Sequence, residues 1–223
     1  MCTVRTATIT DADSRNQAMM SMQTLRRMAG ATAPTRVDPA RTALLLIDFQ
    51  KEYYTGALPL PDGEAAAANA VQLVDWADRV GIQVVHVHHV ASNPKAPLFT
   101  PETERVASHE SLVPRPGHHR LTKTLPSSFV HTDLDGFLKA KGIDTLVIAG
   151  LMTHMCVDST TRDAVSLGYK TIIIAADACA TRDLPDRGDG VAVPHREIHR
   201  SSLSALADRF AEVLPTSEVL RLA

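Results

Sequence analysis

What this chain lacks narrows its class before any motif is read. Cysteine is scarce: Cys2, Cys156 and Cys179 are the three in 223 residues, widely spaced and odd in number. That is not a disulfide framework, and no Cys-x-x-Cys pair of the metal-binding kind is present. A reducing cytoplasm is the simplest setting. Charge of one sign is also missing. A net charge of −2 with no basic block leaves no electrostatic footprint for nucleic acid or anionic lipid. No apolar run approaches the ~20 residues that span a bilayer, and the N-terminus lacks the apolar core, roughly 7–15 residues, of a signal peptide. The glycine-rich dinucleotide fingerprint and the phosphate-binding loop are absent too. The expectation is a soluble cytoplasmic protein that takes a small-molecule substrate, with neither nucleic acid nor membrane as partner.

What is present has the ordinary make-up of a globular domain, 44% hydrophobic and 22% charged. Residues 1–37 are polar and weakly patterned, apart from a short helix expected from Met19 to Met28. They read as an N-terminal arm, either mobile or exchanged between subunits of a homo-oligomer. Residues 38–223 form the domain. Within it, 42–48, 146–149 and 170–177 are apolar runs without alternation, which suits strands buried on both faces, and 82–90 reads as a further strand. Helical spacing marks 64–80, 133–142, 157–168 and 195–214, and glycines close the first three. A loop over 91–117 holds five prolines and reads as a lid or interface element. Residues 218–220 are expected to form a last edge strand. Strands alternating with helices predict an α/β fold: a single doubly wound domain with a parallel sheet flanked by helices.

Three chemically apt groups fall at one edge of that sheet. Asp48 ends the first strand, Lys123 lies in a short extended segment, and Cys156 stands where a buried strand turns into a helix. Ligands bind at the carboxyl ends of such strands. A helix start favours a thiolate, a nearby ammonium stabilises it, and a carboxylate can take and return the proton. His86 and His88 share a strand face beside His89 and could ligate a metal. With no carboxylate beside them, pocket-lining or core histidines are the favoured reading. Phe129 follows a turn and is free to face the pocket.

These residues carry a resemblance. Leu-Leu-Leu-Ile-Asp48-Phe-Gln50, then Thr-Lys123-Thr, then the Gly-x-x-Thr-x-x-Cys-Val-x-x-Thr pattern of residues 150–160 resemble the isochorismatase-like cysteine hydrolases. The likeness spans residues 43–210. It implies a catalytic triad of Asp48, Lys123 and Cys156, and a cis peptide at Leu151–Met152 that turns the backbone N–H groups of Met152 and Cys156 toward an oxyanion. It places Tyr53 at a substrate-stacking position, and Gln50, Phe129 and His154 join it as candidate substrate contacts. The nicotinamidase Asp-x-His metal motif is missing after the second strand, so neither metal nor cofactor is expected. Cys156 points to the amidase branch, with a small amide or related C–N bond cleaved through a thioester. The alternatives are a vinyl-ether hydrolase that leaves Cys156 idle, or a non-catalytic protein that binds or senses redox state through it.

Overall fold

The computed structural model describes residues 23–185, 188 and 190–223. Cys2 and the Met19–Met22 part of the expected first helix lie outside them. Six strands make one parallel sheet: β1 (Thr42–Ile47), β2 (Gln83–His89), β3 (His119–Lys123), β4 (Thr145–Leu151), β5 (Thr171–Ala180) and β8 (Glu212–Leu214). Their order is β3-β2-β1-β4-β5-β8. A small antiparallel pair, β6 (Leu184–Pro185) and β7 (Ala192–Val193), lies apart from it. The helices are α1 (Leu25–Met28), α2 (Gly63–Val80), α3 (Leu134–Ala140), α4 (Asp158–Ser166), α5 (His195–Arg209) and α6 (Thr216–Val219).

The continuous apolar strands behave as two-sided burial requires. Every residue of β1 is buried, and alternate side chains enter opposite layers. Leu44 and Leu46 join Val84, Val147 and Ile173 against α2, where Ala66, Ala70, Leu73 and Trp76 supply the facing side chains. Leu45 and Ile47 join Val85, Ile148 and Ile174 against Leu134, Leu138, Ala164 and Leu206 from α3, α4 and α5. The doubly wound parallel sheet expected from the sequence is therefore the fold observed.

The C-terminal end differs from the expectation. The helix expected to run to residue 214 stops at Arg209, and the edge strand is β8, paired to Ile173–Ala175, instead of residues 218–220. Those residues belong to α6 and the turn after it. Pro215 sets the backbone for a helix start, Asp177 Oδ1 accepts from both the N–H and the hydroxyl of Thr216, and Val219 is buried. β5 also runs three residues past Asp177, to Ala180.

One polar file lies inside this frame. His86 on β2 is 3% exposed, with Nε2 3.0 Å from His118 Nδ1, and His118 Nε2 lies 2.8 Å from Asp78. Burial, then the nearby charges of His118, His88 and Arg120, hold the His86 pKa down to about 3, with Asp78 opposing them. The unfolded chain therefore binds more protons than the folded one between that value and the free-histidine value near 6.5. Stability from this group is complete above about pH 6.5 and is lost as pH falls toward 3. The expected outcome is that the stability difference between wild type and His86→Gln changes with pH in this window, by on the order of 1 kcal/mol per pH unit. Urea melts at a series of pH values measure it; parallel stability-against-pH curves for the two proteins would contradict it.

Candidate active site

Strand order reverses between β1 and β4, so the crossovers leave a crevice at the carboxyl ends of those two strands. Asp48 leaves β1 at φ 58°, a left-handed backbone that aspartate tolerates better than most side chains, and its N–H donates to Val87 O at 2.8 Å. β4 can lie this close only because residue 150 is glycine. A Cβ there would come within 2.6 Å of the Ile47 Cβ and 2.7 Å of the Ile47 carbonyl oxygen. Past Met152 the chain makes one turn of π-helix, Thr153–Val157, which carries Cys156. The Leu151–Met152 peptide is cis. Lys123, the last residue of β3, reaches in from two strands away.

The structure brings all three predicted catalytic side chains together, away from solvent: Asp48 is 0%, Lys123 1% and Cys156 4% exposed. Lys123 Nζ donates to Asp48 Oδ2 at 2.8 Å and to Cys156 Sγ at 3.3 Å, and lies 3.4 Å from His89 Nδ1. An ammonium has three N–H donors, and three acceptors surround it here. Burial disfavours the charged lysine, but Asp48 and Cys156 outweigh it and hold its pKa above the ordinary value. Asp48 Oδ1 is buried with no well-formed hydrogen bond, close enough to the thiol to perturb its titration.

The resting charge of Cys156 differs from the expectation. Burial pushes the thiol pKa far up, Asp48 adds to the rise, and Lys123 only partly offsets it. The turn is of π type, so the thiol gains no ordinary α-helix start, and a carboxylate shares the lysine with it. Burial and the Asp48 carboxylate thus favour the thiol form of Cys156 in this structure.

Of the expected substrate contacts, Tyr53 is closest to the chemistry. Its phenol is 2% exposed, and burial, Asp48 and Cys156 all push its pKa upward. His154 Nδ1 lies 2.6 Å from Thr181 Oγ1 at the end of β5. Phe129 packs in the core against the Tyr169 ring at 5.5 Å. Gln50 spends its carboxamide on the backbone: Oε1 accepts from His89 N, and both Nε2 protons go to the carbonyls of His89 and Val106. It clamps β2 to the long loop. His86 and His88 bond to His118 and Ser108.

Three further residues border the triad: His89, which the sequence placed only beside a possible metal pair, and Phe99 and Arg182, which it did not single out. His89 sits on the lysine. Phe99, from the long loop, stacks edgewise on both Tyr53 and His89. Arg182 has a buried Nε with no hydrogen-bond partner among the described residues, and its charge acts on both Tyr53 and His154. No local pattern marks Phe99 or Arg182; they become visible only when β2, β5 and the loop are placed side by side.

Known proteins share this arrangement of elements. The isochorismatase domain model matches residues 42–218. The uncharacterized isochorismatase family protein YddQ of Bacillus subtilis is 39% identical over 181 residues, covering 81% of this chain and 99% of its own. Maleamate amidohydrolase of Pseudomonas putida is 29% identical, covering 81% of this chain and 86% of its own. The crystal structure of an isochorismatase from Pseudomonas putida superposes with a TM-score of 0.80 at 33% identity, covering 87% of this chain and 97% of that one. With the domain model and these relatives spanning most of its length, the chain belongs to the isochorismatase family of hydrolases.

Proposed function

We propose that this protein is a cysteine amidohydrolase that cleaves a small amide through a thioester on Cys156. The observation that carries the reading is the buried ammonium of Lys123, bridging the Asp48 carboxylate and the Cys156 sulfur. Asp48 takes the thiol proton as Sγ attacks the amide carbon, and the lysine charge offsets the negative charge that appears on sulfur. The backbone N–H groups of Met152 and Cys156 are the proposed donors to the carbonyl oxygen in the tetrahedral state. Asp48 then gives its proton to the departing nitrogen, the C–N bond breaks, and ammonia or an amine leaves an acyl-enzyme. In the second half Asp48 takes a proton from water, hydroxide adds to the thioester, and the proton returns to sulfur as the acid departs. A resting thiol suits this sequence, because the proton that the base removes is the one the leaving group needs. The same-family maleamate amidohydrolase, by its name, acts on an amide.

Arg182 favours a substrate with an anionic end. A buried guanidinium nitrogen without an acceptor is costly, and a carboxylate is the group whose geometry satisfies it. We therefore place acid monoamides first among the substrates to test.

Ammonia release from a panel of small amides is the assay. Asp48→Asn should lower kcat/KM by roughly 10²–10⁴-fold, the usual contribution of general acid–base catalysis. Cys156→Ala should be at least as damaging, because groups acting as a unit fail together. A Cys156→Ala protein that keeps near wild-type turnover would remove the thioester route and leave an ether-hydrolase chemistry based on Asp48 alone.

For the anionic end, Arg182→Gln should raise KM for acid monoamides by roughly 10–100-fold, the value of one hydrogen bond to a charged group. Neutral amides of the same size should be unaffected. Equal effects on both substrate sets would contradict the assignment.

A further inference from the structure

Two features near the triad have no part in the mechanism above: a phenylalanine in a left-handed backbone conformation, and a carboxylate buried without a cation. They meet at one hydrogen bond. Phe99 sits at φ 51° and is 7% exposed. A non-glycine residue there costs about 1–2 kcal/mol, so an aromatic one is uncommon. Its N–H donates to Glu52 Oε2 at 3.0 Å, and its carbonyl accepts from Ala91 N at 3.0 Å. Glu52 is fully buried and accepts through Oε1 from Ala57 N at 2.7 Å. Among the described residues it forms no ion pair, so two backbone N–H groups stand in place of a counter-charge.

The backbone fixed in this way aims one ring. The Phe99 ring lies 5.1 Å from the Tyr53 ring at 71°, and 5.0 Å from the His89 ring at 82°. Tyr53 feels the charges of Asp48 and Cys156, and His89 lies against Lys123 Nζ. Phe99 therefore spans two side chains that border the triad, and it is carried there by the long 91–117 loop. Long ordered loops are where lids and specificity elements are found.

We propose that Phe99 caps the acyl pocket of the Cys156 site and limits it to short, unbranched amides, with Glu52 as the residue that positions it. The substrate limit rests on the amidohydrolase reading; the cap does not. Glu52 acts through the backbone of Phe99 and is a positioning residue.

The test measures access to Cys156 without needing a substrate. Full-length wild type, Phe99→Leu, Phe99→Ala and Glu52→Gln are alkylated with iodoacetamide and, separately, with the bulkier N-phenyl iodoacetamide. Peptide mass spectrometry follows Cys156 apart from the other cysteines, and circular dichroism confirms folding. Both reagents consume the same thiolate, so the ratio of their rates cancels any change in thiol pKa and reports room alone. In Phe99→Ala the bulky-to-small ratio should rise by about tenfold or more, the discrimination that a few missing carbons give in an apolar pocket. Phe99→Leu should give a smaller rise. Glu52→Gln, which keeps the ring but loses one of the two acceptors, should raise the ratio as well. An unchanged ratio in folded Phe99→Ala overturns the cap; should that variant fail to fold, Phe99→Leu decides in the same way. A rise in the phenylalanine variants with none in Glu52→Gln overturns the positioning role. If the ratio rises and neither wild type nor variant hydrolyses any amide, the cap stands and the amidohydrolase reading falls. If amides are hydrolysed, Phe99→Ala should shift relative kcat/KM toward branched acyl groups by a similar factor, and no shift overturns the substrate limit.

Discussion

An ammonium and a carboxylate held 2.8 Å apart, both out of water, are the constraint on which this sheet edge depends. Taking either ion out of water alone would cost several kcal/mol, and their mutual attraction repays it only if the remaining valences are filled. Lys123 fills its own with Cys156 and His89. Asp48 does not: one oxygen is spent on the lysine and the other stays open toward the thiol. The open valence is where the chemistry can start. The pair is also structural, since removing one partner of a buried ion pair leaves the other stranded, at a typical cost of about 3–5 kcal/mol. Losses of activity at Asp48 and Lys123 therefore have to be read beside melting data.

The rest of the frame works to keep that geometry. Parallel strands β1 and β4 lie in register from Thr42–Thr145 to Ile47–Gly150, so Asp48 and the Cys156 turn leave the sheet at the same height. Gly150 permits the approach, and the left-handed backbone of Asp48 starts the loop that carries Gln50, Glu52 and Tyr53. Gln50 and Glu52 then spend buried polar groups on the 91–117 loop, one through Val106 and one through Phe99. The loop is thus held from the same segment that carries Asp48.

How much of this was legible in the sequence followed the range of the interactions. Strands buried on both faces announce themselves as unbroken apolar runs, and helices by their spacing, so the doubly wound sheet and the common edge of Asp48, Lys123 and Cys156 could be read directly. The edge strand could not. Glu212-Val-Leu follows the helical spacing of α5, and only its pairing to β5 makes it a strand. Cys156 shows a related limit: position at a strand end favours a thiolate, while burial and Asp48 push the thiol pKa up. Gln50 shows the same limit. It is a candidate substrate contact from the sequence, and the structure shows its carboxamide bonded to backbone groups 39 and 56 positions away. Phe99 and Arg182 carry no local signal at all.

The edge strand has one more consequence, for company rather than chemistry. β8 is three residues long and ends at Pro215, and an unguarded sheet edge is an invitation to another chain's strand. Here two arginines from α1 close the invitation. Arg26 bonds the Ala211 carbonyl and Glu212, and Arg27 takes the other Glu212 oxygen. The carbonyl just before the strand and the charge of its first residue are both taken by the chain's own arm. Arg26 and Arg27 thus set two cationic side chains beside this edge, and shortening the protein to its α/β core would take them away.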